Sequence, residues 1–315
     1  MPLNVTTVEG KRLKDEYQVG TTYPVYILTD QKGDIIARWT GYTGGAKAFV
    51  NTLNAKLRDL TTVNAREKRF KTTPTFDDAV ILARYYTDIY DNLKAIDYFR
   101  QAEKLKSIKA YDFSFDIFKN MANAAWVDQM PFDSVLPAAD VALSNPTKNL
   151  SNTIKVGQMM ARLACKLGKN NRIAKYLNTC IDASAGSAQF GEMHELLKAD
   201  YALQILNDTA KAVSIKKATM GPNWMNERDR FYEFSRWCLE REINLEEAEL
   251  YARRAVDLVY PGKYRAKVLN TVAEICYARG NKTEAVKMIK LAVEQEPENE
   301  FYQTQQEKFS NSLSK

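Results

Sequence analysis

At 315 residues the chain can hold two domains or one long array, and its 45% apolar and 27% charged residues are ordinary for a globular protein. Its 45 basic residues are interleaved with 39 acidic ones for a net charge of +6, without the one-sided basic face that a nucleic-acid binder concentrates. No apolar run approaches the roughly 20 residues of a membrane-spanning helix. The first residues, MPLNVTTVEGKRLKDEY, lack an apolar signal core, and four scattered cysteines with a single histidine exclude a CxxC pair or a zinc-type ligand set.

In chain order, residues 1 to 60 differ in character from the remainder. Asn4-Val5-Thr6 reads as the tail of a strand, and Glu9 to Tyr17 as a short charged helix. Tyr23 to Thr29 is rich in β-branched and aromatic residues, as is Ile35 to Thr40. The Asp30-to-Gly33 turn between them predicts a β-hairpin. Gly41-Tyr42 closes the second strand. Phe49, Val50, Leu53, Leu57 and Leu60 then form the apolar stripe of a helix from Ala46 to Leu60.

The run from Glu9 to Leu53 resembles the second half of a thioredoxin-fold domain. Tyr17-Gln18-Val19 matches the phrase that ends a helix in that family, Pro24 the proline that opens a strand, Gly33 the hairpin turn and Gly41-Tyr42 the phrase before the terminal helix. The resemblance implies a cis bond at Pro24 and a peptide-binding loop in which the backbone of Tyr23 receives a bound peptide as an added strand. The residues themselves also allow Pro24 to begin a strand in trans, where its missing N–H is harmless. A whole domain of this kind needs about 100 residues. The CxxC-bearing half would precede Asn4, and without a thiolate at a helix N-terminus no disulfide exchange is expected of this chain. Two explanations stand: a piece of a longer protein, or a short product whose half sheet packs on the helices. A half sheet also leaves edges that invite self-association.

Residues 61 to 75 are expected to link this unit to a helical array spanning 76 to 315. The clearest hairpin is Lys267 to Pro297. Gly280 takes its turn, Ala285 and Ala292 share a helix face, and Pro297 ends it. This pattern resembles the tetratricopeptide repeat of 34 residues. Setting Ala95 against Ala285 places Leu82, Ala83, Tyr86, Phe99 and Ala102 on the same signature positions, with Tyr90 in place of the turn glycine and Asp91-Asn92 as turn makers. The pair Arg230 to Glu242 and Leu245 to Val259 repeats it with Ala248 and Ala255. Between them, Ser114–Val127 with Phe132–Leu143, Thr153–Leu167 with Arg172–Ala183, and Glu192–Asn207 with Asp208–Ala218 read as degenerate pairs. Asn299 to Leu313 reads as a polar cap with Tyr302 and Phe309 on one side. The expected fold is therefore mainly α: an α-α superhelix of tetratricopeptide-like hairpins, about a dozen helices in all, with a small N-terminal partial thioredoxin-like α/β unit.

Little chemistry is offered along the way. Arg66-Glu67-Lys68-Arg69 and Lys104 to Lys109 read as solvated faces, His194 as a surface residue, and the cysteines Cys165, Cys180, Cys238 and Cys276 as buried thiols. Asp77-Asp78 and Glu246-Glu247 fall in first helical turns, where carboxylates suit the macrodipole. No GxGxxG, P-loop or GxSxG is present, and neither metal nor other cofactor is expected.

The repeat resemblance implies a concave face lined by the first helix of each hairpin. With the alanines aligned in this way, its inward positions carry Asp77, Val80 and Arg84; Arg230, Glu233 and Trp237; and Lys267, Asn270 and Tyr277. Mixed charge with aromatics suits a protein or peptide segment. The function expected is a protein-interaction module on a bacterial-type, redox-inactive scaffold. The alternative is a fragment of a thiol–disulfide oxidoreductase whose parent works in the cell envelope.

Overall fold

The computed structural model describes residues 7–20, 24–41, 44–105 and 111–313. It divides into two compact units, residues 1–167 and 168–315. The chain is mainly α, with adjacent helices packed in pairs and one two-stranded sheet.

The first unit opens with α1 (Val8–Glu16), β1 (Val25–Thr29), β2 (Ile35–Thr40) and α2 (Gly45–Lys56). The strands pair antiparallel, Val25 opposite Thr40, with an irregularity at Leu28/Thr29. The turn is built by Asp30, whose carboxylate accepts from the N–H groups of Lys32 and Asp34 at 2.9 Å, and by Gly33 at φ +90°. Arg38 of β2 ties the hairpin to the end of α1, donating to the carbonyls of Tyr17 (2.6 Å) and Gln18 (3.0 Å). Tyr26 stacks on Trp39 with centroids 5.2 Å apart, and Phe49 of α2 closes on Tyr26 at 4.9 Å. Of the rest of the expected stripe, Leu53 is half-buried and the other positions are not covered. Val50, Leu57 and Leu60 are exposed, and the helix ends at Lys56, short of Leu60. Periodicity set the face of that stripe, and no described element lies over its outer part. Asn4 to Thr6 lie outside the described residues.

Residues 61–75 are more than a connection. They hold α3 (Val63–Thr72), which buries Val63, Arg66 and Phe70 and packs on β2 and on α4 (Phe76–Asp88). The basic run there is not a solvated face throughout. Arg66 lies inside, paired with Asp78 of α4 at 2.9 Å and Asp59 at 2.8 Å, while Arg69 reaches the same Asp78 at 2.7 Å. Asp78 thus has a use more specific than the helix dipole. The Lys106 and Lys109 of the other basic run lie outside the described residues.

Helix α4 and α5 (Asn92–Leu105) form the hairpin expected from Ala83, Ala95 and Ala102, none of which has any exposed surface. Small side chains let the two backbones approach, and Tyr86 stacks on Tyr98 at 5.6 Å beside them. Tyr90 does take the place of a turn glycine, with φ +62°. The unit continues with α6 (Ser114–Trp126), α7 (Phe132–Ala142) and α8 (Leu150–Leu167), in which α8 packs on both α6 and α7.

The second unit runs α9 (Ala174–Ser184), α10 (Gly191–Gln204), α11 (Thr209–Ala218), α12 (Arg228–Arg241), α13 (Leu245–Asp257), α14 (Lys263–Ala278), α15 (Lys282–Gln295) and α16 (Glu300–Asn311). Helix α9 packs on α10, and the pairs α10–α11, α12–α13 and α14–α15 are hairpins. Ala248, Ala255, Ala273, Ala285 and Ala292 are wholly buried at the crossings, and Trp224, Phe231, Phe234 and Tyr251 fill the space beside α12 and α13. Tyr302 and Phe309 of α16 are buried, as expected of a closing helix.

Candidate functional site

Helix α14 starts at Lys263 and ends where Gly280 adopts φ +81°, so sixteen residues lie in one register. Lys267, Asn270, Glu274 and Tyr277 succeed each other at intervals of three and four, which puts them on one face. That face meets α12 on one side and α16 on the other. Lys267 Nζ stands 4.6 Å from the centre of the Tyr232 ring and 5.9 Å from that of Tyr264. Burial, and the hydrogen bond that the Tyr264 hydroxyl donates to Asp229 at 2.6 Å, push the phenol well above its usual range. One turn on, Asn270 is buried and its Oδ1 has no hydrogen-bond partner. Glu274 is held by Arg236 of α12 at 2.7 Å. At the far end Tyr277 stacks on Phe309 at 4.7 Å, with Lys308 Nζ 5.7 Å from the Tyr277 ring.

Lys267 and Lys308 are both exposed, and neither makes an ion pair with a described residue. Each is held over tyrosine by the attraction of a cation for the ring face, worth about 0.5–1 kcal/mol at such sites. The strip therefore presents two positive charges that no described residue pairs, on an aromatic floor. Lys267, Asn270 and Tyr277 were all expected here. Tyr232, Tyr264 and Lys308 were not.

The expected residues of α12 lie elsewhere, for a local reason. Asn281 N–H bonds to the Cys276 carbonyl and Ala285 N–H to that of Asn281. In the preceding hairpin the corresponding bonds run from Ile243 to Cys238 and from Ala248 to Asn244. Cys276 and Ala285 are nine positions apart, Cys238 and Ala248 ten. Asn244, at φ +49°, is the additional turn residue. Aligning the alanines thus misplaces α12 by one residue, about 100° around the helix. Asp229, Tyr232 and Arg236 face the strip. Arg230 and Glu233 point to the α11 side instead, paired with each other at 2.8 Å, and Glu233 also receives Lys216 of α11. Trp237 is buried beneath Arg241, whose guanidinium lies 4.8 Å from the ring and bonds Asp200 of α10 at 2.6 Å. Aligning the cysteines instead of the alanines would have found Tyr232.

The remaining expected positions fall in the first unit. Arg84 is exposed on α4 beside β2 and α2. Tyr23 lies outside the described residues, and with it the Tyr23–Pro24 bond. Pro24 is exposed, and its carbonyl accepts the Gly41 N–H at 2.9 Å to close the hairpin.

Other chemistry is sparse. His194 is half-buried, not a surface residue, with Nδ1 3.0 Å from Ser184 Oγ. Among the described residues no three His, Cys, Asp or Glu side chains come together as a metal requires, and no helix is long and apolar enough to cross a membrane. Cys180, Cys238 and Cys276 are buried and Cys165 half-buried. Burial, reinforced by nearby glutamates, pushes the thiols of Cys238 and Cys276 up to about 12. Neither is a nucleophile near neutrality.

Comparison of the chain with protein-family models gives no match, and comparison with curated proteins gives none.

Proposed function

We propose that this chain is a protein-interaction module whose docking surface is the strip shared by α12, α14 and α16. The observation that carries the reading is the combination on one face of unpaired Lys267 and Lys308 with tyrosine rings beneath them. An extended protein segment complements both. Its carboxylates meet the lysines and its apolar side chains lie on the tyrosines. The resemblance of the hairpins to tetratricopeptide repeats supports the choice of face, since first helices line the binding side in that family. Selection of displayed peptides on the full chain tests it. Enriched peptides carrying carboxylates, and binding Lys267→Glu/Lys308→Glu at least about tenfold more weakly, are expected from the loss of charge-assisted contacts. No enrichment, or equal binding by the variant, refutes it.

A second reading, a fragment of a thiol–disulfide oxidoreductase, is favoured by one feature. The exposed Val50 on α2, with Leu57 and Leu60 just beyond its end, is what a thioredoxin-like unit would leave open if part of its sheet were elsewhere. A coding sequence upstream of Met1 with a CxxC helix decides for it, and its absence decides against.

A further inference from the structure

The first unit contains a partly open cavity of about 190 Å³ lined by β2, α2, α3 and α4. Four of its wall residues are cations, Arg38, Lys56, Arg66 and Arg84, against one carboxylate, Asp59. Like charges converging on a partly buried space repel one another, so their surroundings must account for each.

Two are accounted for only in part. Arg66, 3% exposed, gives its two terminal nitrogens to Asp59 and Asp78, and Arg38, 6% exposed, gives its own to the carbonyls of Tyr17 and Gln18. In both, the Nε–H is buried and has no acceptor. A buried donor left unmade costs about 1–3 kcal/mol, and such groups are few in folded proteins. Neither Nε has surface open to the cavity, so what the cavity itself leaves unmet is charge. Lys56 and Arg84 make no ion pair with any described residue. Burial first, and then the neighbouring Arg84, lower the Lys56 ammonium from its usual range, with Asp88 opposing. Asp88 is a further carboxylate near these cations. Burial raises its pKa, opposed by Arg38, Lys119, Lys56 and Arg84, and it makes no ion pair with any described residue.

We propose that this cavity binds a small tetrahedral oxyanion: inorganic phosphate, sulfate, or the phosphate group of a phosphomonoester. Such an ion offers the negative charge that Lys56 and Arg84 lack. The volume supports the class. It is below the roughly 300–1,000 Å³ of pockets that enclose drug-sized ligands, and it equals about six waters at roughly 30 Å³ each. A tetrahedral oxyanion with part of its hydration fits. The site lies in the first unit and is independent of the docking strip.

The test is calorimetric titration of the full chain with inorganic phosphate, sulfate and free phosphoserine, each against chloride at matched ionic strength. Saturable binding of at least one oxyanion is expected, weakened about tenfold in Lys56→Gln and again in Arg84→Gln, and retained in Lys56→Arg. Phosphoserine binding as well as phosphate marks an entrance open to phosphomonoesters, and phosphate or sulfate alone marks a site for the free ion. Both variants remove charge from the cavity wall. Unchanged far-ultraviolet circular dichroism confirms their folding, and phosphorus-31 line broadening of phosphate on the unmodified protein gives a reading that needs no variant. No heat beyond chloride and no broadening mean a cavity holding water only and overturn the proposal. So does binding that Lys56→Gln and Arg84→Gln leave unchanged.

Discussion

Asp78→Asn is the substitution whose cost the first unit makes most explicit. The Asp78 side chain is 2% exposed and accepts from Arg66 at 2.9 Å and from Arg69 at 2.7 and 2.8 Å. Burial by itself raises this carboxyl, but hydrogen bonds from Arg69 and Arg66 outweigh it and hold the pKa below the ordinary value. The amide keeps the shape and removes the charge, leaving Arg66 with Asp59 as its one remaining carboxylate. Breaking a buried pair in this way costs about 3–5 kcal/mol. Arg69 is 45% exposed and regains water, and Asp59 still serves Arg66, so about 2–3 kcal/mol is expected. Because the folded pKa is depressed, the contribution of Asp78 is complete above the unfolded value of about 3.9 and is lost as pH falls through the folded value. The difference between the two proteins, measured by urea unfolding, should therefore be full at pH 7 and shrink below about pH 4. A loss under about 1 kcal/mol at pH 7, or a difference that persists in acid, refutes the reasoning.

Two further outcomes concern the second unit. Glu242 ends α12 at φ +52°, a conformation that costs a side-chain-bearing residue roughly 1 kcal/mol or more. Glu242→Gly is expected to raise Tm by about 2–4 °C in a thermal scan, less any entropy the glycine adds to the unfolded chain; a fall in Tm contradicts the turn geometry. Cys238 and Cys276, fully buried with thiols held near 12, should resist iodoacetamide at pH 8 in the folded protein and react once it is unfolded in urea. Mass spectrometry of native alkylation that finds either one labelled overturns their placement. Turnover in an insulin-reduction assay would do the same for the expectation that the chain is redox-inert.

Much of the hairpin architecture was legible because alanine at a crossing is decided by local sterics. Ala83, Ala95, Ala273 and Ala285 have no room for more than a methyl group, and their spacing reports it directly. The turn at Tyr90 was legible for a similarly local reason, because the residue between the two helices takes the αL conformation that a turn glycine usually supplies. What escaped depended on partners distant in sequence. Arg66 sits in a run that looks solvated, and only its Asp59 and Asp78 contacts show it to be core. The face of α12 escaped because Asn244 adds one residue to a turn, and a one-residue slip carries Arg230 and Trp237 off the strip while bringing Tyr232 onto it. Lys308 was set aside with a polar cap, and nothing in its own neighbourhood announces the Tyr277 ring contributed by another helix. The α2 stripe was read correctly as apolar, but whether a partner element covers Val50, Leu57 and Leu60 is not a local property.

The most direct test of the docking strip is site-specific photo-crosslinking in the cells that make this protein. A benzophenone amino acid replaces Tyr277 in one version and exposed Leu250, on α13, in another. A discrete polypeptide adduct at Tyr277 is predicted, absent from Leu250 and lost when Lys267→Glu and Lys308→Glu are added. Equal adducts at both positions, or none at Tyr277, contradict the assignment of this face as the place where a partner binds.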